Sequence, residues 1–404
     1  MTSADTGLLR VRGAAEDGKV TFVELFFDLV FVFAVTQLSH SLLEHFTGLG
    51  VVQTTLLLMA VWWVWIYTSW VTNWLDPEKT AVRLMLFALM LAGLVLSTSI
   101  PQAFEARGLA FAGAYVFMQV GRCLFTLWAL RGRSPGNTRN FQRITAWLVL
   151  SAAFWIAGGF AHEGVRLGLW AVALLIEYVS PSVGFWTPGL GRSTTADWDI
   201  EGHHMAERCA LFIIIALGES IVVAGAKFAN LAWTPTTVGA FAVAFLGSVA
   251  MWWIYFNVGA ETASRRISNA TDPGRLGRLA YTYMHLPLVA GVIVAAVGDD
   301  LVLAHPDGDA DAMTAATLLA GAALYLVGNL LFKRATANRP ALSHIVGLML
   351  LIALVPLSSG LQPLALSAAT TLVLVVVAIW ETVSLAGAKA RDDAVKLSSP
   401  KRAP

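Results

Sequence analysis

Apolar residues run through this chain in twelve long stretches separated by short polar connections, and within each stretch they occupy all sides of a helix rather than one stripe. The stretches cover roughly residues 21–45, 51–75, 80–101, 109–131, 140–160, 165–181, 204–226, 236–259, 276–298, 312–333, 341–359 and 363–387. A helix needs about 20 residues to cross about 30 Å of hydrocarbon. With no water in that layer, a lipid-exposed segment must be a helix or part of a closed barrel, and the period-two alternation of barrel strands is missing. The pattern predicts an all-α polytopic membrane protein with twelve transmembrane helices.

Composition strengthens this reading. Of the residues, 57% are hydrophobic and 13% charged, and the mean hydropathy is +0.68, more apolar surface than the core of a soluble chain this long could hide. Orientation follows from Lys and Arg. The connection after the fourth span carries Arg131, Arg133, Arg139 and Arg143; that after the eighth carries Arg265, Arg266, Arg275 and Arg278; that after the tenth carries Lys333, Arg334 and Arg339. The N-terminal segment (Arg10, Arg12, Lys19) and the C-terminal tail (Lys389, Arg391, Lys396, Lys401, Arg402) fall on the same side when the span count is twelve. The connection after the ninth span holds Asp299, Asp300, Asp307, Asp309 and Asp311 and no basic residue. The positive-inside rule then predicts cytoplasmic N and C termini. The first apolar stretch is too long for a signal-peptide core and is expected to remain in the mature chain. Cys123 and Cys209 both fall within spans, which predicts no disulfide framework. The net charge of +1 gives no reason to expect a nucleic-acid partner.

The twelve spans fall into two sets of six that echo each other. Glu24 opens the first span and Glu207 the seventh; Trp62 and Trp63 lie in the second span as Trp252 and Trp253 lie in the eighth; Asp76-Pro77 and Asp272-Pro273 follow those spans. Six is even, so the copies would be parallel repeats related by an axis along the membrane normal, a plan used by transporters. The expected organisation is an N-terminal segment (1–20), a first six-helix repeat (21–181), a cytoplasmic linker (182–203), a second repeat (204–387) and a C-terminal tail (388–404).

Residues 20–40, VTFVELFFDLVFVFAVTQLSH, and residues 204–223, HMAERCALFIIIALGESIVV, resemble the bacterial low temperature requirement protein A family, and the resemblance runs from about residue 18 to about residue 387. It implies a multi-pass protein of the bacterial inner membrane. The family name records a growth phenotype in the cold rather than a reaction, so it implies no substrate and no cofactor.

Ionisable groups in hydrocarbon are costly and mark candidate functional positions. Glu24 and Asp28 are four residues apart and share a helix face, where two carboxylates suit proton coupling or cation binding. Glu24 also fits a capping box with Thr21. In the seventh span, His203, His204, Glu207, Arg208 and Glu219 lie close together. His203 and His204 with Glu207 have spacings compatible with a metal. A buried Arg208 demands a counter-charge, for which Asp28 or Glu24 is the natural partner, and one polar network of Asp28, Arg208, Glu24 and Glu207 is expected. His285 sits two residues before Pro287, where the helix should break and free a carbonyl. Arg122 and Glu381 read as members of structural ion pairs, His344 as an interfacial residue, and Asp299 and Asp300 as solvated charges closing the ninth span.

Trp62, Trp63, Trp65, Tyr67, Trp70 and Trp74 crowd one span, either as a ligand pocket or as an aromatic belt, with Trp70 and Trp74 fitting a belt at the cytoplasmic end. No nucleotide-binding loop, dinucleotide fingerprint or nucleophile elbow is present. The expected function is a secondary transporter or ion-conducting permease, with the lipid bilayer and an unidentified small molecule or ion as its partners. The site would draw on Glu24, Asp28, Glu207, Arg208, Glu219 and His285. The alternative is a membrane-embedded enzyme acting on a lipid or isoprenoid-like substrate, with His203 and His204 as metal ligands.

Overall fold

The computed structural model describes residues 7–10, 19–194, 201–257, 272–336 and 341–398. Arg12, Arg265, Arg266, Arg339, Lys401 and Arg402, which enter the orientation argument, lie outside the described residues, as do linker residues 195–200. The described residues form twelve helices and no β-strand: α1 (Phe22–Glu44), α2 (Gly48–Trp74), α3 (Thr80–Ser99), α4 (Gly108–Leu130), α5 (Pro135–Phe160), α6 (Glu163–Val179), α7 (Gly202–Ala229), α8 (Pro235–Phe256), α9 (Gly274–Ala304), α10 (Ala312–Thr336), α11 (Leu342–Gly360) and α12 (Pro363–Ser398). Eleven are long and apolar enough to cross a membrane, whereas α6, with 17 residues, is not among them. The sixth apolar stretch, 165–181, thus yields a helix of its own length that begins and ends two residues earlier. The chain turns at Ser180 and Pro181, and at ~1.5 Å per residue α6 measures ~26 Å.

Large apolar side chains such as Phe22, Leu84, Leu91, Ile352 and Val383 face outward. Together with the length and apolarity of the spans, that makes this a multi-pass membrane protein whose surroundings are lipid. Local chemistry sets the helix starts. Proline stands in the first turn of α5 and α8, where its missing N–H is not needed. Thr47 Oγ1 accepts from Gly50 N at 3.1 Å, and Asp272 Oδ1 accepts from Arg275 N at 2.9 Å. Asp311 Oδ1 accepts from Thr314 N at 2.7 Å ahead of α10, and this hydrogen bond holds its carboxyl below the usual carboxylate range.

The chain divides into two compact units. One comprises residues 1–219 with 264–286, the other 220–263 with 287–404, so α7 and α9 each contribute to both. In the first unit α5 packs on α4 and α6, and α3 packs on α1 and α4; in the second α12 packs on α8, α10 and α11. Glycine makes the closest approach in the second unit. A Cβ on Gly291 of α9 would lie 2.5 Å from Tyr325 N of α10, and one on Gly321 would lie 2.6 Å from Ala295 N, the small-residue contact common between membrane helices.

Two spans are interrupted by π-turns, at Phe117–Gly121 in α4 and at Arg278–Tyr283 in α9. The second ends just ahead of Pro287, whose ring and missing N–H disturb the preceding turn. Asp299 and Asp300 do not close the ninth span: α9 runs on to Ala304, and Asp300 pairs with Lys227 at 2.5 Å. The two Trp pairs that echo each other in sequence have unlike surroundings. Trp62 and Trp63 are fully buried, whereas Trp252 and Trp253 are 43% and 42% exposed.

Candidate functional site

α1 and α7 meet through two rungs. Glu24 and Asp28 are one helical turn apart on α1, and His204 and Arg208 are one turn apart on α7, so matched i, i+4 positions face each other. His204 Nε2 lies 2.8 Å from Glu24 Oε1, and Arg208 Nη2 lies 2.9 Å from Asp28 Oδ1. All four side chains are at most 1% exposed. The ion pair expected between Asp28 and Arg208 is thus formed.

α2 supplies a third column, also at four-residue steps. Asn73 Nδ2 lies 3.2 Å from His204 Nδ1, while Nε2 of the same ring lies 2.8 Å from Glu24 Oε1 and 3.3 Å from Arg10 Nη2. Ser69 Oγ accepts from Arg208 Nη2 at 3.2 Å, and Trp65 Nε1 donates to Asp28 Oδ1 at 2.8 Å. The Arg208 guanidinium lies over the Trp65 ring, 5.6 Å from its centroid. Asn73 also fixes the start of α7, accepting from Glu201 N at 3.0 Å and donating to Glu201 O at 2.9 Å. Arg10, which entered the sequence reading only as a topology signal, closes the outer end. Its Nη2 lies 3.0 Å from Glu24 Oε2, and its Nε donates to Thr72 O at 2.8 Å.

Glu24 forms the expected capping box and also reaches α7. Oε2 accepts from Thr21 N at 2.9 Å and from Thr21 Oγ1 at 3.0 Å, as a helix cap, while Oε1 meets His204. The inner rung is less complete. Asp28 Oδ2 and Arg208 Nη1 are buried and have no hydrogen-bond partner, an open valence on each member of a fully buried pair.

The remaining sequence candidates are distributed differently. Glu207 accepts from Val20 N at 3.0 Å, beside the cluster, rather than bonding to Asp28 or Arg208. His203 is exposed while His204 is buried against Glu24, so the two adjacent histidines face different surroundings. Among the described residues no group of three His, Cys, Asp or Glu side chains is placed to hold a metal. Glu219 is buried about three turns beyond Arg208 along α7. His285 is buried, donates from Nδ1 to Ala280 O at 2.8 Å, and stacks on Trp62 with ring centroids 6.4 Å apart. The π-turn explains its partner, because a widened turn leaves carbonyls outside the regular ladder. Thr282 O in the same turn accepts from Trp62 Nε1 at 2.7 Å.

A second buried cluster, on α4, α5 and α6, escaped the sequence reading. Glu177, 1% exposed, accepts from Tyr115 Oη at 2.5 Å, Ser151 Oγ at 2.7 Å, Trp155 Nε1 at 2.9 Å and Gln119 Nε2 at 3.2 Å. Gln119 Oε1 in turn accepts from Arg122 Nη2. Arg122 therefore forms no ion pair with a described residue, contrary to expectation. Its Nη1 donates to Thr68 Oγ1 at 2.8 Å and Val64 O at 3.2 Å, and its Nε is unpaired. Gln119 lies in the α4 π-turn and Arg122 directly follows it. The missed signal was a lone carboxylate within the apolar run LLIEYV. In the second unit Glu381 does pair, with Lys333 Nζ at 2.5 Å and His344 Nδ1 at 3.3 Å. His344 is fully buried rather than interfacial.

Trp70 and Trp74 are also buried rather than belted. Trp74 packs edge-on against Phe141 of α5 with centroids 5.4 Å apart, and Trp70 Nε1 donates to Thr282 Oγ1 at 3.0 Å.

Comparison with known proteins places this arrangement. Residues 19–379 match the family described as "Bacterial low temperature requirement A protein (LtrA)". A protein of Rhizobium meliloti (strain 1021), named only as uncharacterized, is 45% identical over 369 residues, covering 91% of this chain and 90% of its own length. No solved structure matches. With both ELFFDLVFVFA of α1 and ERCALFIIIALGES of α7 inside the matched span, the chain belongs to the bacterial low temperature requirement A family.

Proposed function

We infer that the protein is a secondary transporter or ion-conducting permease of the bacterial inner membrane, with both termini cytoplasmic and its spans arranged as two six-helix sets. The observation that carries this reading is the Asp28–Arg208 pair, buried completely yet left with one unpartnered polar atom on each member. A pair kept only for structure should have its polar atoms satisfied. An open carboxylate oxygen beside an open guanidinium N–H offers a place where a proton, water or small ion binds and leaves. Protonation of Asp28 removes the charge that holds Arg208, and the Glu24–His204–Arg10 rung one turn away offers a second negative group toward which the guanidinium can turn. Intramembrane carboxylates that exchange partners in this way are the usual elements of proton and ion pathways. The enzyme alternative has less support, because it needs His203, His204 and Glu207 around one point and they occupy separate surroundings.

The test is flux in proteoliposomes. With purified protein and a pH-sensitive dye inside, imposed proton and potential gradients should dissipate faster than in empty vesicles, and Asp28→Asn should abolish the difference. Arg208→Gln added to Asp28→Asn should recover folded protein without recovering flux. Wild-type vesicles as tight as empty ones to H+, Na+ and K+ would remove the ion-coupled reading. Orientation is tested separately: cysteines replacing Pro135 and Arg334 should label from the cytoplasm and one replacing Asp307 from the periplasm.

A further inference from the structure

α2 has a second working face. Trp63, Tyr67, Trp70 and Trp74 recur at steps of four, three and four residues, so they lie along one side of the helix, away from Trp65, Ser69 and Asn73. They line a mostly apolar cleft whose other walls include Phe141 of α5 and Phe185 of the α6–α7 connection.

The cleft does not end in more hydrocarbon. Pro181, Phe185 and Arg278 are shared with an adjoining polar depression that adds Arg192 and the hydroxyl residues Ser193 and Thr194. Arg278 Nη1 donates to Pro181 O at 2.9 Å, which fixes the guanidinium at the junction. Neither Arg278 nor Arg192 forms an ion pair with a described carboxylate. The connection that builds the depression is held firmly. Arg143 donates to Leu190 O from Nε at 2.9 Å and from Nη2 at 2.5 Å, and Ser193 N donates to Gly184 O at 2.7 Å. Phe185 adopts φ 49°, a left-handed conformation unfavourable for a bulky residue, and strain of this kind collects at binding sites.

We propose that the cleft and the depression together bind an anionic amphiphile drawn from the surrounding bilayer, a lipid with a phosphate headgroup. Arg192 and Arg278 hold the phosphate, for which the planar guanidinium fork is suited, and the acyl chain lies against the aromatic face of α2. Trp63 to Trp74 span ~16 Å of helix axis, enough to follow a chain inward from the headgroup. The free space is about 30 Å3 as it stands, so the chain enters by displacing side chains. The proposal does not rest on the transport reading, because it uses the opposite face of α2.

The experiment is native mass spectrometry of the full-length detergent-purified protein, titrated separately with phosphatidic acid, with phosphatidylcholine of the same chains and with inorganic phosphate. One phosphatidic acid should bind per chain at concentrations where phosphatidylcholine does not, and equimolar inorganic phosphate should not displace it. The Arg192→Gln, Arg278→Gln double variant should bind phosphatidic acid at least about tenfold more weakly. A second measurement needs no variant. Phosphatidic acid carrying a photoactivatable group in its chain, irradiated with the wild-type protein, should label the peptide from Trp63 to Trp74 or that containing Phe141. Equal binding of the two lipids, or labelling confined to outward-facing residues, overturns the proposal. Displacement by equimolar inorganic phosphate assigns the depression to a soluble anion and overturns the lipid source.

Discussion

Asp28 and Glu177 are both buried carboxylates in the first compact unit, and each has a buried arginine nearby, yet they are accommodated in opposite ways. Asp28 takes Arg208 directly at 2.9 Å, and each member keeps an unsatisfied atom. Glu177 takes four neutral donors and reaches Arg122 only through the Gln119 amide. The direct pair concentrates its energetics in one charge–charge contact. The bridged pair spreads them over Tyr115, Ser151, Trp155 and Gln119, so that neither charge touches the other directly. On the proposed reading the first arrangement is the one that changes partners, although Arg122 Nε in the second is also unpaired.

This comparison can be broken by mutation, with thermal unfolding in a fixed detergent as the readout. The largest effect is expected for Asp28→Asn, which strands Arg208 and should cost ~3–5 kcal/mol, while Asp28→Asn with Arg208→Gln should recover much of the loss. The corresponding cycle on Glu177→Gln and Arg122→Met should show two substantial single losses, of about 1–3 kcal/mol each, with a coupling through the shared Gln119 that is smaller than that between Asp28 and Arg208. A coupling there as large as that of Asp28 and Arg208 would mean that the amide transmits charge and that the contrast is false. Gln119→Leu, which removes the bridge and keeps both charges, should cost about 1–2 kcal/mol. The smallest effect belongs to the surface pair Arg83–Glu78, 3.5 Å apart with side chains 42% and 68% exposed, where Glu78→Gln should shift stability by less than ~0.5 kcal/mol.

The difference between the clusters also explains what could be read in the sequence. An arginine inside an apolar run requires a counter-charge, and Glu24 and Asp28 stand at the one spacing that faces another i, i+4 pair, so the α1–α7 rung was legible from charge alone. Glu177 was not, because its partners are neutral and come from three helices that no local pattern brings together. Arg10 and Lys333 were absorbed into topology counting, although each reaches a buried carboxylate. The spans themselves follow from apolar length, and α6 ends two residues before its stretch does because Ser180 and Pro181 turn the chain first. The two faces of α2 were present in the spacing of its tryptophans. A search for an aromatic belt, which groups residues by depth, obscures a pattern that groups them by angle.

That helix has a thermodynamic consequence. Trp65, Ser69 and Asn73 grip the ionisable groups on one side, and Trp63, Tyr67, Trp70 and Trp74 wall the cleft on the other, on the same rigid rod. If both proposals hold, a rotation or shift of α2 that favours one occupancy would alter the other, and linkage would make the influence mutual: whatever factor a bound amphiphile imposed on the affinity of the α1–α7 cluster for an ion, the ion would impose on the amphiphile. Bilayer composition would then act on this protein as a second ligand, adjusting its set point without entering the path of the first.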